Sequence, residues 1–376
     1  MTRTIIRTFF PFAALLASCS PTVAGDRPPV AETKGIFAVT PLATLDAPWA
    51  IAVLPRGGVL VTEKAGKLKL INGTKVTEVA GAPQVDAGGQ GGLGDVVLAP
   101  DYAKSGMIYL SWVEAGENDT RGAVVGRARL VLGGTPRLDG LEILWRQSPK
   151  VTGRGHFSHR IAFSPDGQLM FVASGERQKM DPAQDLSVNL GKVLRLLPNG
   201  KPAPRNPFAD KGGVSAEIWT YGHRNILGLA FDPQGRLWEL EHGPAGGDEL
   251  NLIEPGKNYG WPMVSEGDHY DGRDIPPHSS RPDMAAPNIS WTPVIAPGDM
   301  VIYRGKAFRA WQGQLLIAGL GSKGLVRVTI DGTRVTEAAR YPLDKRLRDV
   351  AEAADGSLLV IEDGKDGRLL KLTPAK

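Results

Sequence analysis

Six times along this chain an apolar, strand-like run meets a turn built from Pro, Asp, Asn or Gly and is followed by a second apolar run. The units are WAIAVLPRGGVLVTE from Trp49, DVVLAPDYAKSGMIYLSW from Asp95, RIAFSPDGQLMFVASGE from Arg160, GLAFDPQGRLWELEHG from Gly228, MVIYRGKAFRAWQGQLLIAGL from Met300 and DVAEAADGSLLVIEDG from Asp349. Several continue into a third run, as in GKLKLI from Gly66, GLVRVTI from Gly324 and GRLLKL from Gly367. The runs are too short for helices and are bounded by turn residues, so they read as antiparallel strands. Units of this kind recurring every ~45 to 70 residues leave few unprotected sheet edges when arranged radially, which predicts an all-β, six-bladed β-propeller. The uneven spacing places insertions in the middle units, and residues 263–297, rich in proline and poor in apolar runs, read as one of them. With 47 Gly and 29 Pro among 376 residues, composition favours one closed β architecture with a large core over several domains.

The N-terminus reads differently. Arg3 and Arg7 precede an apolar run over residues 9–17, which is too short to span a bilayer and has the form of a secretion signal. Leu16-Ala17-Ser18-Cys19 has the pattern of a bacterial lipobox, so residues 1–18 are expected to be removed and Cys19 lipidated; the alternative is an ordinary signal cleaved near Ala24-Gly25. Cys19 is the only cysteine, which excludes an intramolecular disulfide. Residues 19–36 read as a flexible tether and residues 37–376 as the propeller domain. Ser20 after Cys19 points to the outer membrane, so the expectation is a periplasm-facing monomer touching the membrane only through its lipid. The formal charge of +4, without a run of five or six basic residues, argues against nucleic acid as a partner and leaves room for an anionic small molecule where cations converge.

In an antiparallel blade the loop entering the first strand and the loop leaving the second lie at the same end. Entry loops carry Gln90, His156, Arg224 with Asn225, and Arg346 with Arg348; loops after the second strand carry Glu176, Gly243 with Pro244, and Lys323. These residues should converge on one mouth of the central channel, where a rigid scaffold presents functional loops. His156 is then either a general base near neutral pH or a polar loop residue, with five other histidines competing for the role. Arg346 and Arg348, two apart on an extended segment, share a face and would either grip carboxylates or form a solvated basic edge. Arg224 beside Asn225 at a tight turn suits a developing oxyanion. The stretch from Glu241 through Asp248 and Glu249 to Tyr259 offers oxygen ligands for calcium, or else a capped acidic turn. No His/Cys cluster has zinc spacing, and neither a P-loop, a nucleotide fingerprint nor a hydrolase nucleophile elbow is present.

HRN followed by GLAFDP, then EHGPAGGDELN and NYGWP, resembles the signature of the pyrroloquinoline quinone (PQQ)-dependent aldose sugar dehydrogenases, the soluble glucose dehydrogenase family, and the likeness extends over residues 45–372. The resemblance implies a quinoprotein that oxidises aldose sugars at C1 to the lactone, with PQQ and Ca2+ as cofactors and an electron acceptor that the sequence does not identify. It implies His156 as the base, Arg224 as the group that polarises the quinone, and Glu176 as the carboxylate partner of His156. It assigns Gln90, Arg224, Asn225, Tyr270, Gly321, Ser322, Lys323, Arg346, Leu347 and Arg348 to the cofactor. The carbonyls of Gly243 and Pro244 would ligate the catalytic calcium, and Glu249 and Tyr259 a second, structural one. Three features depart from the family pattern: Glu176 stands where Asp is usual, FSHR follows the base where glycines are usual, and Ile226-Leu227 follow HRN in place of Pro-Gln. A calcium-dependent lactonase and a non-catalytic binding propeller are the competing readings; a lactonase has little use for the cations at 323, 346 and 348.

Overall fold

Each predicted strand pair forms the inner half of a four-stranded antiparallel sheet in the computed structural model, which describes residue 30 and residues 32–375. Blade I comprises Pro48–Val53, Val59–Glu63, Lys67–Asn72 and Lys75–Val79; blade II comprises Leu93–Leu98, Met107–Ala115, Arg121–Val131 and Arg137–Arg146. Blade III is Ser158–Phe163, Met170–Ser174, Lys192–Leu196 and Ile218–Tyr221, and blade IV is Ile226–Phe231, Leu237–Glu241, Asp248–Leu252 and Ile289–Trp291. Blade V runs Pro297–Ile302, Leu315–Gly319, Gly324–Asp331 and Arg334–Pro342. Blade VI takes Leu347–Glu352, Leu358–Glu362 and Gly367–Pro374 from the C-terminal end and its outer strand, Phe37–Leu45, from the N-terminal end. The fold is the expected six-bladed β-propeller, and this last pairing closes the ring. The sequence reading did not anticipate that closure.

Second strands such as Val59–Glu63 and Leu358–Glu362 are buried at every position because a neighbouring blade covers each face, so they open as apolar runs without alternation before a buried glutamate at the end. Outer strands such as Lys75–Val79 are mostly exposed. Burial is divided among clusters between successive blades, for example Trp49, Leu60, Leu110 and Trp112 between I and II, and Tyr303, Leu316, Leu358 and Leu370 between V and VI. The single large core expected from chain length is thus replaced by wedges.

At the axis, Arg160 touches every blade. Its guanidinium lies 3.3 Å from Asp95 of blade II, 3.1 Å from Asp299 of blade V and 3.7 Å from Asp349 of blade VI. It donates to the carbonyls of Leu227 and Gly298, both at 2.8 Å, and sits 4.0 Å above the Trp49 ring of blade I.

Two boundaries differ from expectation. Ile289–Trp291, inside the segment read as an insertion, is the outer strand of blade IV. Thr33 N donates to Arg340 O at 2.9 Å and Ile36 O accepts from Ala375 N, so the chain is tied to the propeller before residue 37. The signal, the lipobox and Cys19 lie outside the described residues. Among the described residues no helix is long and apolar enough to cross a membrane.

Candidate active site

The His156 backbone has φ +49°, a left-handed conformation that costs a non-glycine residue about 1–3 kcal/mol and persists only where surroundings enforce it. Here they do. His156 N donates to Gln90 Oε1 at 2.7 Å, Gln90 N donates to Arg154 O at 2.8 Å, and Arg177 N donates to His156 O at 3.2 Å. Arg177, fully buried, is the clamp on this loop: its guanidinium donates to the carbonyls of Gly155 at 2.9 Å, Gly153 at 2.6 Å and Arg121 at 2.6 Å, and lies 3.7 Å over the Phe157 ring. Sequence reasoning passed over Arg177, whose only signal was its place beside Glu176.

The imidazole Nδ1 of His156 hydrogen-bonds Glu176 Oε1. Glu176 is fully buried and its other oxygen accepts from Lys179 N at 2.5 Å and Met180 N at 2.6 Å, which fixes the carboxylate. Burial opposes its ionisation, but the bond to His156 and those amides hold its pKa below the ordinary value. The His156 pKa is lowered, first by burial and then by the charges of Arg224 and Arg177, against the pull of Glu176. With Nδ1 engaged, Nε2 is the nitrogen available to a substrate. Glu176, for all its extra methylene relative to Asp, reaches the imidazole directly.

Glu176 N also donates to Arg224 O at 3.0 Å, which joins blades III and IV. Arg224 is buried; its main-chain N donates to Glu241 Oε2 at 2.6 Å, and its guanidinium donates to His242 O and to Tyr270 Oη, both at 3.2 Å. Asn225 shares Glu241 Oε2 through its own N–H at 3.3 Å. Tyr270, 77% exposed, caps this cluster from the residue 263–297 segment.

A second cationic group lies across the mouth. Arg346 and Arg348 both donate to Asp363 at 2.9 Å. Lys64 donates to Gly89 O at 2.8 Å, and burial together with the charge of Arg348 lowers its pKa. His242 lies within electrostatic reach of both groups: burial first, then the charges of Arg224 and Arg348, push its pKa down to about 3. Lys64 and Asp363 were missed although each follows the second strand of its blade, the same topological position as Glu176 and Lys323. Lys323 is exposed with φ +51°, and its loop is tied in through Gly321 N to Ile295 O at 2.8 Å. The Leu347 side chain is fully buried between blades V and VI, which leaves its main chain for the role at the cofactor.

Three buried donors in the described residues lack a partner: Arg224 Nε, Trp261 Nε1 and Ser322 Oγ. Unpaired buried donors are costly, and such a set suits a ligand rich in anionic oxygens, as PQQ is. The donor set also fits one calcium. Gly243 sits in a turn so tight that a Cβ would lie 2.2 Å from the carbonyl oxygens of Gly246 and Gly247, and Asp248 fixes it by accepting Gly243 N at 2.9 Å. Among the described residues the carbonyls of Gly243 and Pro244 accept no hydrogen bond, and both residues line a cleft with Arg224, Glu241 and His242. Glu249 and Tyr259, expected to hold a second calcium, line the same cleft as Gly243 and Pro244; the Tyr259 carbonyl accepts from His278 Nε2 at 3.1 Å, and His278 Nδ1 is 3.2 Å from Glu266 Oε1.

A propeller that gathers a carboxylate-held histidine, a desolvated guanidinium and converging cations at one channel mouth defines a cofactor-binding oxidoreductase rather than a structural propeller. The chain belongs to the glucose/sorbosone dehydrogenase family, whose sequence profile matches residues 45–371. It is 40% identical over 340 residues to the aldose sugar dehydrogenase YliI of Escherichia coli, covering 88% of this chain and 91% of that protein. The crystal structure of soluble aldose sugar dehydrogenase from E. coli in its apo form superposes with a TM-score of 0.84 at 39% identity, over 90% of this chain and 99% of the other. The PQQ-bound aldose sugar dehydrogenase of Streptomyces coelicolor superposes with a TM-score of 0.74 at 30% identity, over 92% and 99%.

Proposed function

We propose that this protein oxidises aldose sugars at C1 to the corresponding lactones, using PQQ and calcium at the channel mouth. The observation that carries the reading is the His156–Glu176 pair beside the buried, unpartnered Nε of Arg224. Loss of the C1 hydride and the O1 proton takes two electrons from the sugar and leaves the lactone. His156 Nε2 receives the O1 proton, and Glu176 holds the imidazole in orientation and stabilises the imidazolium that results. PQQ, when bound, supplies the two-electron acceptor for the hydride. Arg224 presents a fixed, desolvated positive charge to oxygens that gain negative charge in the reaction. Gln90, Asn225, Tyr270, Lys323, Arg346 and Arg348, with the main chain at Gly321, Ser322 and Leu347, hold the cofactor, and the cations match its carboxylates. The carbonyls of Gly243 and Pro244 would hold calcium, which would supply a Lewis acid there.

The relatives' names support this reading, as does the concentration of cations, which a lactonase acting on a neutral ring does not need. Cys19 lipidation would tether the propeller to the outer membrane facing the periplasm, as a monomer. A Cys19→Ala chain is then expected to lose the lipid, read as loss of label from cells grown with radiolabelled palmitate. The test of activity is dye reduction by purified protein with a panel of aldoses, with and without PQQ and calcium. Reduction that requires both additions and yields lactone supports the proposal; lactone hydrolysis without dye reduction overturns it.

A further inference from the structure

Beneath the mouth the unpaired groups change sign. Two fully buried acceptors, Glu239 Oε1 and Asn251 Oδ1, have no hydrogen-bond partner, and their residues are cross-strand partners in blade IV, where Glu239 pairs with Asn251 and Glu241 with Glu249. From this juxtaposition with His223 we infer a buried structural zinc site formed by His223, Glu239 and Glu241, with Asn251 Oδ1 as the fourth donor.

Each ligand has one atom anchored and one presented. His223 Nε2 is engaged by Thr220 Oγ1 at 2.9 Å, and the ring is stacked on Tyr259 with centroids 4.7 Å apart, which leaves Nδ1 directed inward. Glu241 Oε2 is taken by the main-chain N–H groups of Arg224 and Asn225, leaving Oε1. Glu239 Oε2 accepts Asn251 Nδ2 at 3.0 Å, leaving Oε1. Outer hydrogen bonds that orient ligands in this way are the usual accompaniment of a metal site.

The spacing suits a small ion. Ligand atoms of His223, Glu239 and Glu241 lie within 4.8 Å of one another, and His223 Nδ1 is 3.1 Å from Glu241 Oε1. Tetrahedral zinc with bonds of about 2.0–2.2 Å separates its ligands by about 3.4 Å, inside that range. One imidazole with carboxylate and amide oxygens is a donor set that suits zinc better than calcium, which takes more oxygens.

Burial favours the same conclusion. His223, Glu239 and Asn251 are completely buried, and among the described residues the one basic side chain within 4.0 Å of the Glu239 carboxylate is His223. The ligands come from an entry loop and the second and third strands of blade IV, His223 being separated from Glu239 by a whole strand and turn, which is why no zinc spacing is legible in the sequence. The site uses neither residue expected to hold the second calcium.

The test is metal analysis of the full chain purified without chelator or a metal-affinity step. About one zinc per chain is expected, retained through dialysis against a chelator that strips calcium, and reduced at least tenfold in Glu239→Gln. Should that variant fail to fold, anomalous scattering at the zinc edge from crystals of the unaltered chain locates the ion among His223, Glu239 and Glu241. Absence of zinc, with no stoichiometric uptake when Zn2+ is offered to chelator-treated protein, overturns the inference. So does zinc that persists in Glu239→Gln, or calcium found in its place.

Discussion

At the scale of single residues the proposed chemistry depends on one histidine, His156, kept neutral and correctly turned. Because burial and two arginines lower the His156 pKa from 6.5, the base stays deprotonated below the pH at which a free histidine takes up a proton. The acid limb of kcat/KM should therefore lie below pH 6.5, where kcat/KM falls as protons occupy Nε2; a limb at or above 6.5 would contradict the electrostatics. The same shift has a stability sign: between the two pKa values the unfolded chain binds a proton that the folded one does not, so His156 lowers stability as pH falls through 6.5. Arg177 is a positioning residue with two separable contributions. Arg177→Lys keeps the charge but loses the fork that binds three carbonyls, and turnover should fall about 10- to 100-fold through misplacement of the base with the acid limb unmoved. Arg177→Met also removes a charge that depresses the His156 pKa, so the limb should move to higher pH. Equal limbs in the two variants would show that Arg177 acts through packing alone.

At the scale of strands and loops, the blades were legible because their inner strands are buried on both faces and flanked by Pro, Asp and Gly turns. What could not be read was pairing between distant segments. Phe37–Leu45 has an ordinary strand pattern, and nothing local says that it completes the blade begun by Leu347–Glu352. Ile289–Trp291 is only three residues long amid prolines and carries too little periodicity to be seen. The mouth residues were largely visible because antiparallel order fixes which loops share an end. Lys64 and Asp363 obey that rule and were lost only because no motif marked them; Arg177, Glu239 and Asn251 act through burial, which sequence does not reveal. The closing strand offers its own test. Phe37 packs edge-on against Phe308, Trp311 and Tyr341 at centroid distances of 5.6, 5.9 and 5.7 Å. Phe37→Ala should cost about 1–3 kcal/mol in equilibrium urea unfolding, less than a fully buried Phe because this ring is partly exposed. A midpoint unchanged from the parent chain would mean that the ring's closure does not depend on this contact.

At the scale of the whole molecule, six wedges are held around Arg160, and the mouth they form is a cation-lined bowl. Arg160→Met leaves Asp95, Asp299 and Asp349 facing one another without their counter-charge, and loss of one partner from a buried ionic network costs about 3–5 kcal/mol. Calorimetry should show a large fall in melting temperature, and a shift within error of zero would remove Arg160 from its place as the hub. The role proposed for the bowl in holding PQQ is separable from the proposed chemistry, because the cations assigned to the carboxylates do not depend on His156. The measurement that tests the account most directly is therefore spectroscopic: protein loaded with PQQ and calcium is mixed with an aldose, and bleaching of the oxidised cofactor is followed in the parent chain and in His156→Ala. The account predicts that the variant takes up PQQ as the parent does but reduces it about 10²- to 10⁴-fold more slowly. Reduction at the parent rate, or failure of the parent chain to take up PQQ at all, would contradict it.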